Sequence, residues 1–222
     1  MGLFITKLWT APQEFFLIAL IVVFSICLHE YCHARCALMM GDPTAADRGH
    51  LTLNPFRQMG VFSLIMFLIA GIAWGMVPVD PEKARSRYPW GPAAIALAGP
   101  AANFALALIG WLAFGFFGSR MLRQGHDAQT LMMSNLLLLI FLLGVYNIIL
   151  LIFNLIPAPG LDGWNVLAEL FPRLRNLSSE VAKGAMLGLM ILAFMGVSFL
   201  FQAGLWLMLQ FLQFGYYAAG GA

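Results

Sequence analysis

The 222-residue chain is 61% hydrophobic and 10% charged, with a mean hydropathy of +0.85 and a formal net charge of +2. So much apolar surface excludes an ordinary soluble domain and an intrinsically disordered chain alike, and makes the lipid bilayer the expected solvent. The 12 basic residues lie in short clusters rather than along one stripe, which leaves no surface suited to nucleic acid.

A spanning helix needs about 20 apolar residues. The first candidate is Phe15 to Met40. Its opening run, Phe15 to Leu28, imitates a signal peptide, but no small-x-small cleavage site follows, so it reads as a retained span. Cys27, Cys32 and Cys36 all fall on this helix and read as packing residues, not as a disulfide framework. In Gly49-His-Leu-Thr-Leu-Asn-Pro55, the alternation of Leu51, Thr52 and Leu53 predicts a short strand or hairpin that ends at Pro55. A free edge there would hold an unwound peptide by main-chain hydrogen bonds; an ordinary interfacial turn is the alternative. Val61 to Val79 is free of charge, yet it contains Gly71 and Gly75, stops at Pro78 and sits at the lower length limit for a span. Trp90 to Gly118, Leu131 to Phe153 and Gly184 to Phe214 supply three further spans, and Trp9, Trp74 and Trp90 are expected interfacial anchors. No linker, composition shift or internal repeat interrupts the chain, so residues 1–222 read as a single domain. The expected fold is an all-α polytopic membrane protein: four full transmembrane helices, one re-entrant or embedded segment, and a short strand or hairpin after the first helix.

The chemistry begins at His29-Glu-Tyr-Cys-His33. In this HExxH pattern two imidazoles at i and i+4 share one helical face and can share a tetrahedral zinc, while Glu30 between them reaches a water on the metal. Burying a carboxylate and two imidazoles in an apolar span costs a few kcal/mol on insertion scales, so such groups are retained for a function. A zinc with one open position needs a third protein ligand. Asp162 is the sole acidic residue from Ala128 to Ala168, and it lies in Pro157-Ala-Pro-Gly-Leu-Asp-Gly163 at the end of a span. Asp162-Gly163 could equally turn the chain and cap a helix over residues 164–171. Two rival readings are a metal- or haem-binding protein without catalysis and a metal transporter. Against haem, the remaining histidines, His50 and His126, fall in expected loops, and no CxxCH is present.

For His29, His33 and Asp162 to meet at one depth, an even number of crossings must separate residues 40 and 131, so Val61 to Val79 must not span. The charges agree. Without that crossing, one side holds Arg35, Arg48, Arg57, Lys83, Arg85, Arg87, Arg173, Arg175 and Lys183 against Lys7, Arg120 and Arg123, nine to three; with it, the split is seven to five. The positive-inside rule therefore predicts an external N-terminus and a site opening toward the cytoplasm.

Five blocks in order carry a resemblance: His29-Glu-Tyr-Cys-His33, Gly49-His-Leu-Thr-Leu-Asn-Pro55, Val77-Pro-Val-Asp-Pro81, Ala98-Gly-Pro-Ala-Ala-Asn103 and Phe153-Asn-Leu-Ile-Pro-Ala-Pro-Gly-Leu-Asp-Gly163. Over most of residues 20–170 the chain resembles the site-2 protease family of intramembrane zinc metalloproteases, in its compact prokaryotic form without PDZ or CBS domains. The departures are His50, where Arg is expected, and Gly160, where Pro is common. The resemblance implies one Zn2+ per chain held by His29, His33 and Asp162, with Glu30 catalytic and Asn154 assisting the substrate or the oxyanion. It also implies transmembrane-protein substrates and a place in a prokaryotic cytoplasmic membrane. Asn154 would otherwise make an interhelical hydrogen bond, and Asn103 reads as structural support. An intact substrate helix shields its own carbonyls, so the substrate must unwind locally. Oligomeric state is not legible in the sequence.

Overall fold

A computed structural model describes residues 3–126, 134–176 and 179–218. Pro12, placed where a helix needs no N–H, opens α1, Pro12–Met39. At 1.5 Å per residue its 28 residues rise about 42 Å, enough to cross a hydrocarbon core of about 30 Å. One face buries Ile18, Ile21, Val22, Ser25, Ile26, His29 and His33, while Phe16, Leu20 and Phe24 are exposed on the other. A helix apolar all round, with its few polar groups turned inward, belongs in lipid.

After α1 come α2, Gly60–Ala70, α3, Pro81–Arg87, and α4, Gly91–Arg123. They are followed by α5, Asn135–Leu155, α6, Asp162–Leu170, and α7, Ser179–Ala218. Among the described residues, α1, α4 and α5 are long and apolar enough to cross a membrane, which makes the chain an integral membrane protein. The first residues of the expected span Leu131 to Phe153 lie outside the described residues, and the expected span Gly184 to Phe214 falls within the 40-residue α7.

Contacts along the helices set their directions. Gln13 donates to Asn135, and Asn147 donates to Ser25, so α1 and α5 run parallel. His33 meets Ile95 while His29 meets Asn103, so α4 runs against α1. Glycines set how closely these helices approach. A Cβ on Gly110 would lie 2.7 Å from Gly144 N, and one on Gly215 would lie 2.4 Å from Gly115 O, the small-residue packing that joins α4 to α5 and to α7 in lipid. Ile18, Val22, Trp111, Phe114, Phe141 and Met208 fill the core between the helices.

Two expectations of the loop region have different outcomes. The strand or hairpin at residues 49–55 is not formed: these residues make a turn and a bend. The reason is local, because the Gln58 amide donates to the carbonyls of His50 and Thr52, and the Asn54 side chain accepts from Phe56 N at the start of a short helix. Backbone groups satisfied by side chains are not available to a strand partner. The stretch Val61 to Val79 is instead an 11-residue helix followed by extended chain. The helix rises about 16 Å, half the hydrocarbon thickness. Gly71, at φ 78°, then reverses the direction, and the return is held by Ser63, whose hydroxyl donates to Trp74 O and accepts from Trp74 N. Met76 N donates to Gln58 O, so the chain comes back to the level at which the helix began.

Candidate metal centre

His29 and His33 project from the same face of α1, with 6% and 7% of their surfaces exposed. Asp162 reaches them because the chain leaves α5 through Pro157 and Pro159, turns at Gly160 with φ 95°, and restarts as α6 at Asp162 itself. The capping alternative for Asp162 is not realised. Leu161 is the N-cap of α6, and no side chain caps it. Gly163 makes the close return possible, since a Cβ there would lie 2.2 Å from Leu155 O.

Three donor atoms converge as a result. His29 Nε2 and His33 Nε2 are 2.9 Å apart, and they lie 3.1 Å and 3.3 Å from Asp162 Oδ2. Zinc bonds of about 2.0–2.1 Å in a tetrahedron separate neighbouring ligand atoms by about 3.3 Å, so this triangle has the size of one face of a zinc site. Asp162 Oδ2 is a buried oxygen with no hydrogen-bond partner, which an ion at the centre would satisfy. The residues therefore fit the group. They do not fit a haem, because both imidazoles come from one helix and aim at one point.

Each imidazole is oriented from behind. His33 Nδ1 lies 2.6 Å from Ile95 O, and since a carbonyl only accepts, that nitrogen carries the proton and Nε2 presents its lone pair. His29 Nδ1 lies 2.6 Å from Asn103 Oδ1. Asn103, expected as structural support, thus touches a proposed ligand directly. Gly99 lies on the same helix against both rings: a Cβ there would sit 2.3 Å from His33 Nε2 and 2.4 Å from His29 Nε2.

A cavity of about 550 Å³ is lined by these groups with Glu30 and Asn154, and also by Glu82, Arg85 and Glu169. The extended chain after α2 closes over Glu30, where a Cβ on Gly75 would lie 2.4 Å from Oε1. Asn154 Nδ2 donates to Leu150 O within its own helix, so the interhelical bond offered as its alternative is not the one made. His50 pairs with Gln58 and His126 with Met121 O, both away from the triad. Sequence reasoning missed Ser25, Gly75, Gly99 and Asn147. Two had a signal: Ser25 precedes His29 by one helical turn, and Asn147 precedes Asn154 by two turns in an otherwise apolar helix.

Fold and site define the class of membrane zinc metalloproteases. The chain belongs to peptidase family M50, whose family model matches residues 15–130 and 119–197. It is 33% identical over 164 residues to YwhC of Bacillus subtilis (strain 168), covering 72% of this chain and 70% of that one. It is 34% identical over 151 residues to Rip2 of Mycolicibacterium smegmatis (strain ATCC 700084 / mc(2)155), covering 64% of this chain and 52% of Rip2. Both relatives are named as candidate zinc metalloproteases, and the chain spans about half the length of Rip2. No solved structure gives a significant match.

Proposed function

We propose that residues 1–222 form a single-domain intramembrane zinc endopeptidase that hydrolyses peptide bonds within or near transmembrane helices of membrane-protein substrates, in the manner of regulated intramembrane proteolysis. The observation that carries this reading is the zinc-sized triangle of His29, His33 and Asp162 opening into the same cavity as Glu30. When bound, zinc lowers the pKa of a water toward neutrality and polarises the scissile carbonyl. Glu30 takes the proton of the attacking water and returns it to the leaving amine. Asn154 lines the cavity with one amide N–H on Leu150 O, and its second N–H is the donor for the developing oxyanion. Glu82, Arg85 and Glu169, which line the same cavity, are the charged groups beside which the water that hydrolysis consumes would be held.

The proposed topology has four spans, α1, α4, α5 and α7, with Val61 to Val79 re-entrant and the cavity open to the cytoplasmic side of a prokaryotic membrane. The short α2 and the return of Met76 to Gln58 support it. The test is zinc content and cleavage of a single-pass membrane substrate by detergent-purified wild type, Glu30→Gln, His33→Ala and Asp162→Ala. One zinc per chain in wild type and Glu30→Gln, loss of zinc in the other two, and cleavage by wild type alone are the expected results. A wild type that stays metal-free in added zinc would end the reading.

A further inference from the structure

We infer that Asn147 is a positioning residue for zinc, acting through Asn103 to fix which nitrogen of His29 carries the proton. The inference rests on the metalloprotease reading above and adds to it a residue that touches neither metal nor cavity.

Ser25, Asn103 and Asn147 are all 0% exposed and form one chain of hydrogen bonds across α1, α4 and α5. Its direction can be read from one end. Asn147 Nδ2 lies 2.9 Å from Leu143 O and 2.9 Å from Ser25 Oγ. A backbone carbonyl accepts only, so the atom facing Leu143 O must be the amide nitrogen; turning the amide over would set two acceptors against each other. The oxygen Oδ1 is thereby directed at Asn103, whose Nδ2 donates to it at 2.9 Å. Asn103 must then present its own Oδ1 to His29 Nδ1, at 2.6 Å. An oxygen there requires a proton on Nδ1 and leaves Nε2 as a lone pair at the metal position. Every link is forced by the one before it, and the first is a carbonyl that cannot turn.

Without Oδ1 of Asn147, the Asn103 amide loses the acceptor that sets its orientation. It can then turn Nδ2 toward His29, which stabilises the tautomer whose Nε2 carries hydrogen and cannot bind zinc. The rival account is that Asn147 only joins helices, as buried amides in membrane bundles do. The two accounts separate on metal affinity.

The test measures zinc affinity of the full chain in detergent by chelator competition, with Co2+ absorbance as a second signature, for wild type, Asn147→Leu, Asn147→Asp and Asn103→Leu. Asn147→Leu is expected to weaken zinc binding roughly 10- to 100-fold and to alter the Co2+ spectrum. Asn147→Asp is expected to stay within about threefold of wild type, because a buried Asp remains protonated, donates to Leu143 O and still offers an oxygen to Asn103. In an Asn103→Leu background, Asn147→Leu is expected to cause no further loss, since the link is already cut. Should Asn147→Leu fail to purify, Asn147→Ala removes the same oxygen and carries the same expectation. Asn147→Leu with wild-type zinc affinity and only a lowered Tm overturns the inference alone. A wild type that takes up no zinc overturns the metalloprotease reading and this inference with it.

Discussion

Two glycines at the site allow the proposed metal binding and the proposed proton transfer to be tested separately. The space a methyl group would need at Gly99 is filled by both imidazole Nε2 atoms, on rings already pinned by Ile95 O and Asn103. Gly99→Ala is therefore expected to abolish zinc retention in elemental analysis while circular dichroism keeps the helical signal. The methyl at Gly75 would meet Glu30 instead, the end of a flexible side chain that can move aside. Gly75→Ala is expected to keep zinc and lower turnover roughly 100- to 10,000-fold, the range general-base catalysis supplies. Zinc loss in Gly75→Ala would show that the extended segment supports the metal rather than the base.

At the scale of elements, two joints hold the site. Gly163 lets α6 begin against the end of α5, which is what carries Asp162 to the histidines. Gly163→Ala should push α6 away from Leu155 O and weaken zinc binding without any ligand being changed; chelator competition would register it. The second joint is Asp42, fully buried after α1, which accepts from Asp80 N at 2.6 Å and from Thr44 N at 3.0 Å. Burial pushes this carboxyl up, but the bonds from Asp80 and Thr44 outweigh it and hold the group below its ordinary 3.8. A pKa lower folded than unfolded means that ionisation favours the fold. The stabilisation is complete above 3.8 and is lost as pH falls through the lower folded value. Thermal unfolding followed from neutral to strongly acidic pH should show this loss, and Asp42→Asn should flatten it.

For the whole molecule the question is which ends of the helices share a side. The starts of α1 and α5 are joined by Gln13 and Asn135, and α4 ends on that side with Arg120 and Arg123. The loops holding Arg48, Arg57, Lys83, Arg85 and Arg87 lie at the other end, with the metal centre. By the positive-inside rule this arrangement supports the proposed external N-terminus. A reporter fused there that is active only in the external compartment is the expected result, and an active cytoplasmic reporter would reverse the proposed orientation.

The sequence by itself determined the solvent, the spans α1, α4 and α5, the zinc pattern on α1 and the family. These follow from hydropathy, from a four-residue helical spacing and from ordered motifs, all local quantities. At residues 49–55 the sequence offered a short strand or hairpin with an interfacial turn as the alternative, and the turn is what forms, because nearby Gln58 takes the backbone carbonyls of His50 and Thr52. For Asp162, which the residues left between ligand and cap, only the tertiary structure shows that its side chain caps no helix and lies beside both histidines. It also brought Gly75 against Glu30 and Gly99 against both imidazoles, and joined Asn147 to Asn103 behind His29. Which donor reaches which acceptor depends on how helices distant in sequence pack, and glycines and buried amides give no sign in a hydropathy pattern of what they will touch.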